Sequence, residues 1–233
     1  MDPLVLLPDL ERATDRLLAT VEGLTDGDVA APSLLPGWSR GHVLAHLARN
    51  ADSLCNLLTW ARTGVETTQY ASQESRDADI ATGAPRPVAA QLADLRSSAT
   101  RFAERAEALP TSAWAVTVRT RGNHEIVAAT LVWMRLREVE IHHVDLDAGY
   151  RPDAWPSGFS HRLTHELTSD FADSIGAVLR SPELGHDIVL GADDAPVVAG
   201  PAYAIAAWLI GRSPGTGLTV TPSGTLPAVP PWR

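Results

Sequence analysis

The stretch LREVEIHH, residues 136–143, decides how the chain is interpreted, because it places Glu138 four residues before His142. On an α-helix, residues four apart lie on one face about one turn apart, so a carboxylate and an imidazole at this spacing can hold one metal ion. The stretch HVLAHL, residues 42–47, offers His46 as a third ligand from another helix. Three protein ligands leave one tetrahedral position open, which is typical of catalytic zinc sites.

The same residues also fit an ordinary structural role, in which a core histidine and a helix-face ion pair need no metal. His46 favours the metal interpretation, because it lies on a second amphipathic helix and faces the bundle together with apolar neighbours. His42, one turn earlier, is another possible ligand. We interpret it instead as a polar residue at the exposed start of its helix.

Polar residues next to the predicted ligands are assigned by their angle around the helix. At 100° per residue, Glu140 and His143 point away from the Glu138 face and should not reach the same metal. Asp145 shares that face, and it is either a partner for a ligand imidazole or an ordinary polar residue near the helix end. Cys55 lies roughly opposite His46 and is interpreted as a buried small apolar residue.

The composition is that of an ordinary globular protein of 233 residues, with 45% hydrophobic and 20% charged residues. A net charge of −9 disfavours nucleic acid or an anionic membrane as partner. The single cysteine excludes an intrachain disulfide and fits a reducing cytoplasm. The start of the chain lacks the basic residues of a signal peptide, and no membrane span is expected, so we predict a cytoplasmic protein.

Apolar periodicity in the first part of the chain predicts four helices separated by one long polar loop and one short strand. The loop, with one short helical turn in it, is expected over 63–86 and the strand over 114–120, and loops this long often cover a site. The helices are expected over 7–21, from the N-cap Ser39 to about Arg62, after Pro87, and over 126–147.

A stretch rich in Gly and Pro, residues 149–156, predicts a domain boundary, with one domain over 1–150 and another over 151–233. The second domain is expected to combine helices over 157–179 and 202–210 with strands over 186–190, 196–198 and 218–221, and a turn at Asp193-Asp194. The predicted fold class is therefore α+β, a four-helix bundle with a metal site followed by a small α/β domain.

Three further polar residues in the second domain have side chains that could belong to a binding or catalytic site. His161 and His165 are four apart but lack an acidic third partner, so we interpret them as surface residues. Arg212 follows an apolar helix, where a cation is favourably placed by the helix dipole. Its guanidinium could also bind an anionic substrate, but its spacing alone favours the role of a cation at a helix end.

Two long segments give the chain a family resemblance. Residues 36–50, PGWSRGHVLAHLARN, and 133–146, WMRLREVEIHHVDL, resemble the two ligand-bearing helices of the mycothiol-dependent maleylpyruvate isomerases. The shorter segments LCNL (54–57), TGVET (63–67), Gly211-Arg212 and PPW (230–232) fit in order and spacing. The resemblance spans almost the whole chain and is strongest in the two ligand helices.

This resemblance implies a DinB-like four-helix bundle in which His46, Glu138 and His142 bind Zn²⁺ or another divalent metal. Arg212 matches an arginine that the family uses in catalysis or substrate binding. The implied thiol cofactor is mycothiol, whose metal-bound thiolate adds to the double bond of maleylpyruvate, allows rotation and leaves to give fumarylpyruvate. The implied protein acts as a monomer on a small anionic substrate.

Three other functions stay open at this point. A mycothiol S-transferase would use the same site but leave the sulfur on its product. A non-catalytic carrier would use the bundle as a scaffold and need no zinc. A zinc hydrolase would need a general base near the metal, for which Asp145 is the only modest candidate.

Overall fold

The computed structural model of the chain describes residues 3–192, 195–222 and 224–232. The chain divides into two compact units, Met1–Ala148 and Gly149–Arg233. The first is mainly helical, and the second combines a small mixed sheet with two helices. The α+β class predicted from the sequence is thereby confirmed.

The first unit is built on four long helices, and two of them each pack against the other two. Helices α3 and α1 both pack against α5 and α6, which makes a four-helix bundle. Each buries an apolar stripe, as the periodicity predicted. The bounds of the helices are α1 (Leu7–Glu22), α2 (Asp26–Ala30), α3 (Arg40–Thr63), α4 (Gln73–Gly83), α5 (Val88–Glu107) and α6 (Thr130–Asp145).

Local signals fix both ends of α3. Ser39 accepts a hydrogen bond from the backbone N–H of His42, and the His42 side chain accepts one from the backbone N–H of Ser39. This reciprocal cap satisfies two backbone donors that the helix leaves unpaired. Gly64 ends the helix with a φ of 72°, a left-handed conformation that glycine adopts readily. His42 is thus a capping residue at the helix start, and it is half-buried rather than exposed as predicted.

Two predictions for the first unit were wrong. The loop expected over 63–86 contains α4, which Ser72 caps and Ile80 anchors in the core. The helix expected from residue 126 begins only at Thr130, because Glu125–Val127 forms a strand, β2, that pairs antiparallel with β1 (Thr117–Arg119). Asn123, with a φ of 61°, allows the tight turn between them. The expected strand over 114–120 shrinks to β1.

The second unit holds a four-stranded sheet with the order β4-β3-β5-β6. Only β3 and β5 are parallel, while the outer pairs are antiparallel. Helices α7 and α8 pack against each other. The bounds are α7 (Ser157–Phe171), β3 (Ala177–Arg180), β4 (Ile188–Leu190), β5 (Val197–Ala199), α8 (Ala202–Leu209) and β6 (Thr219–Thr221).

The helix expected over 157–179 was too long. It ends at Phe171, and the apolar segment beyond Gly176 pairs in the sheet as β3. A short apolar run suits a buried strand as well as a buried helix, so periodicity could not separate the two. The three predicted strands overlap β4, β5 and β6, whereas the turn predicted at Asp193-Asp194 lies outside the described residues.

Membrane insertion finds no support in the helices. Within the described ranges, none combines the length and the apolar character that crossing a bilayer requires.

Candidate metal centre

Helices α3 and α6 bring together the three residues singled out in the sequence. His46 comes from α3, and Glu138 and His142 come from α6. His46 Nε2 lies 2.9 Å from Glu138 Oε2 and 3.2 Å from His142 Nε2, and the latter two atoms are 3.3 Å apart. Ligands about 2 Å from a tetrahedral zinc ion are separated by about 3.3 Å. The three side chains therefore have the spacing of a metal ligand set.

The three side chains are not equally covered. The exposed fractions are 8% for the His46 side chain, 16% for His142 and 24% for Glu138. A metal held by the three atoms would thus be screened on the bundle side and reachable from the Glu138 side. This arrangement suits a site that keeps one position for a small molecule.

Asp145 fixes the orientation of His142. Its Oδ2 atom lies 2.8 Å from His142 Nδ1, and Asp145 is fully buried. A carboxylate on one imidazole nitrogen holds the proton there and leaves the other nitrogen free to bind a metal. This contact decides between the two interpretations of Asp145 in favour of a partner for the imidazole. Trp38 packs edge-on against the other imidazole, that of His46.

The charges of the three side chains depend on one another. Burial alone would lower the pKa of His142, but the acceptors Asp145 and Glu138 outweigh it and raise that pKa to about 9. Burial would raise the pKa of Glu138, but hydrogen bonds from both histidines hold it well below its usual value. Burial lowers the pKa of His46. The group thus combines the ionised carboxylate of Glu138 with two different imidazoles. That of His46 is readily neutral, and that of His142 must lose a proton before it binds a metal.

Sequence reasoning missed Arg76, which lies on α4 beside the metal-ligating group. Its Nη2 atom is 3.3 Å from His46 Nδ1, and its guanidinium lies over the Tyr70 ring, 5.9 Å from the centroid. The polar segment around it looked like a loop. Ser72, a good N-cap type, and Ile80, eight residues later, were the signals that could have indicated this helix.

Glu140 and His143, two further polar residues of α6, make their contacts away from the group. Glu140 Oε1 accepts a hydrogen bond from Arg16 at 2.6 Å, and His143 Nε2 lies 2.8 Å from Thr20 Oγ1. Both partners belong to α1, so the prediction that neither residue reaches the metal site is confirmed. Cys55 is buried, as predicted, and burial raises the pKa of its thiol to about 11.

The remaining sequence candidates lie in the second unit. His161 and His165 stack with ring centroids 4.6 Å apart and are half-buried rather than fully exposed. Arg212 follows α8, where its Nη1 atom donates a hydrogen bond to the carbonyl of Ile210 at 2.8 Å. The role of Arg212 in binding or catalysis stays a prediction.

Comparison with known proteins agrees with this geometry. The family described as the mycothiol maleylpyruvate isomerase N-terminal domain matches residues 10–147. A crystal structure of a mycothiol-dependent maleylpyruvate isomerase superposes with a TM-score of 0.91 at 30% identity, over 100% of this chain and 98% of that one. The structure of a histidine-to-alanine variant of such an isomerase matches equally well. No curated protein matches the chain. On the family match and the full-length similarity, the chain belongs to the mycothiol maleylpyruvate isomerase family.

Proposed function

We propose that the chain is a metal-dependent, mycothiol-using isomerase that converts maleylpyruvate to fumarylpyruvate in the cytoplasm, acting as a monomer. The observation that carries the proposal is the convergence of His46, Glu138 and His142 at metal-ligand spacing, with one side accessible. Membership of the isomerase family supports the choice of thiol and reaction. In this proposal the first unit holds the metal and the thiol.

The protein's task at the metal is to present three fixed ligands. His46 and His142 would bind through Nε2 and Glu138 through a carboxylate oxygen, while Asp145 holds the proton on His142 Nδ1. A divalent metal bound here lowers the pKa of a coordinated thiol, so that thiolate is present near neutral pH. The ligand choice suits zinc, although nitrogen and oxygen ligands of this kind also accept other divalent ions.

The sulfur that adds to the substrate must come from the cofactor. Cys55 is the only cysteine in the sequence, and with a pKa near 11 its buried thiol stays protonated at neutral pH. Mycothiol would supply the chemistry of this step: reversible addition of its thiolate to the alkene would allow rotation about the resulting single bond, and elimination would return the thiolate. The reaction therefore consumes no thiol.

The substrate carries carboxylates, whereas the chain has a net charge of −9. Local positive charge is therefore needed at the site. Arg76 supplies it next to His46, and we assign Arg212 to a substrate carboxylate or to the enolate that develops during addition. Guanidinium groups suit both because they offer paired N–H donors.

The test is an absorbance assay of maleylpyruvate with zinc-loaded protein, with and without mycothiol. We expect thiol-dependent conversion to fumarylpyruvate, lost in Glu138→Ala and kept in Glu104→Ala, which changes an exposed glutamate on α5. A zinc-loaded protein that does not convert maleylpyruvate contradicts the isomerase assignment. Stable attachment of mycothiol to other electrophiles would then identify an S-transferase.

A further inference from the structure

A polar cavity of about 370 Å³ opens on the first unit between the loop after α3 and the β1–β2 hairpin. We call it the hairpin basin. Its walls combine two aromatic rings with amide side chains and the guanidinium groups of Arg119 and Arg121, and the other residues that define it are Trp60, Gln69, Tyr70, Gln73 and Asn123. None of these residues takes part in the metal-ligating group.

The chemistry of the basin suits a ligand with many hydroxyl groups. Each side-chain amide offers both donors and acceptors, as each hydroxyl of a sugar does, and an aromatic ring can cover the apolar face of a sugar. The positive charge of Arg119 is offset by Glu66 at 3.4 Å and Glu125 at 3.9 Å, and the guanidinium of Arg121 donates a hydrogen bond to the side-chain oxygen of Gln73. Among the described lining residues there is no histidine or cysteine for a metal.

The inner wall of the basin lies along the same face of α3 as the metal-ligating group. Gln69 Nε2 donates a hydrogen bond to Ser53 Oγ at 3.3 Å. Ser53 follows His46 by seven residues, which is two helical turns, so the two share a face and lie about 10 Å apart along the axis. A thiol whose sulfur reaches the metal could therefore extend along α3 into the basin.

Two side chains connect the basin with the metal-ligating group. Tyr70 lines the basin, Arg76 lies over its ring at 5.9 Å, and the same guanidinium is 3.3 Å from His46 Nδ1. A ligand lying between basin and metal would pass along these side chains. We propose that the hairpin basin binds the glucosaminyl-inositol part of mycothiol, an inference that rests on the proposed use of this thiol at the metal.

The experiment compares mycothiol with N-acetylcysteine, which carries the thiol without the sugars. The full chain is loaded with Co²⁺, whose thiolate-to-metal absorption reports sulfur binding, and each thiol is titrated. We expect mycothiol to bind tighter than N-acetylcysteine. In the double variant Gln73→Ala/Arg119→Ala, mycothiol affinity should fall about 30-fold while N-acetylcysteine affinity is unchanged. Both side chains are exposed, so the fold should tolerate their loss.

The matched control is Arg86→Ala, which removes an exposed arginine that pairs with Asp94 outside the basin. It should keep the wild-type preference for mycothiol. Equal binding of the two thiols by the wild type, or an unchanged preference in the double variant, overturns the basin assignment and leaves the thiol site intact. If neither thiol gives the absorption, the proposed function fails. Saturation-transfer NMR with thiol-free glucosaminyl-inositol then tests the basin assignment by itself. Binding that is lost in Gln73→Ala/Arg119→Ala supports the assignment, and the absence of binding to the wild type overturns it.

Discussion

Helix α6 presents acid and histidine side chains on two sides, and only one side forms a candidate metal centre. Towards α3, Glu138 and His142 meet His46 with their ligand atoms converging. Towards α1, Glu140 meets the guanidinium of Arg16 and His143 meets the hydroxyl of Thr20. Residue types are alike on both sides, and the pair that faces α1 is the more deeply buried, so neither residue type nor burial identifies a metal site.

The difference lies in what supplies the positive charge. On the α1 side, Arg16 is a permanent cation and neutralises Glu140 within the protein. On the α3 side, the carboxylate of Glu138 faces two imidazoles, which carry charge only when protonated. A divalent cation can replace those protons and bind all three groups. Convergence of lone pairs around a carboxylate that pairs with imidazoles rather than with a guanidinium is therefore what marks a site that a metal can complete.

The largest effect is expected from His46→Ala, which removes one of three ligands. Structural zinc sites with four ligands bind with about 10–16 kcal/mol, so one ligand accounts for about 3–4 kcal/mol, or about a thousandfold in affinity. Competition with a chromophoric chelator at pH 7 measures this. Glu140→Gln, on the opposite side of α6, should keep zinc affinity within about threefold. Similar losses in both variants would remove the distinction between the two sides.

The next effect concerns stability rather than metal. Glu140 is 1% exposed and pairs with Arg16 at 2.6 Å. Glu140→Gln leaves a cation without its partner, but the Arg16 side chain is 37% exposed and can be hydrated, so we expect a loss of about 2–3 kcal/mol. Urea unfolding of metal-free protein measures the free energy of unfolding. An unchanged free energy of unfolding would show that the ion pair contributes no more than the packing that glutamine also provides.

A pH effect should follow from His143. Burial, followed by the charge of Arg16, lowers the pKa of His143 from 6.5 to about 4. Between these values the unfolded chain takes up a proton that the folded chain does not, so stability present above pH 6.5 is lost as the pH falls towards 4. By pH 5 the loss amounts to about 2 kcal/mol.

Urea unfolding at several pH values between 7 and 5 should therefore show a flatter pH dependence in His143→Gln than in the wild type. Metal-free protein is used for both, so that zinc release does not contribute. Parallel curves for the two proteins would mean that another group causes the acid sensitivity.

The sequence predicted the metal-ligating group because His46, Glu138 and His142 lie on two long helices. Their faces follow from 3.6 residues per turn, and burial of the apolar stripes turns those faces towards each other. Arg76 could not be predicted in this way. It lies on a polar helix anchored by Ile80, and its contact with His46 depends on how α4 folds back onto α3.

Element boundaries were the least predictable part of the fold. The strand Glu125–Val127 looked like the first turn of α6, and the segment after Phe171 looked like a continuation of α7. In both places a short apolar run is compatible with either structure, and pairing with a distant strand decides the outcome. The local sequence pattern gives no information about such pairing, because the partner strand is distant in the chain.

At neutral pH the smallest effect on zinc affinity is expected from Asp145→Asn. Losing a carboxylate behind a ligand imidazole weakens metal binding about 10–100-fold. Asp145, however, also helps to raise the pKa of His142 to about 9, so at pH 7 the wild type must release a proton from that imidazole to bind metal. In the variant this pKa falls towards 6.5, and the proton competes less.

The two consequences of Asp145→Asn nearly cancel at pH 7 and separate above pH 9, where His142 is already neutral in the wild type. Zinc affinity should therefore be similar for both proteins at pH 7 but 10–100-fold lower in the variant at about pH 9. Chelator competition across this range measures the difference, and NMR titration of the metal-free imidazole checks the pKa. A loss of affinity that is the same at every pH would mean that Asp145 only holds the ring in place, because a role through proton affinity requires the difference to grow as the pH rises.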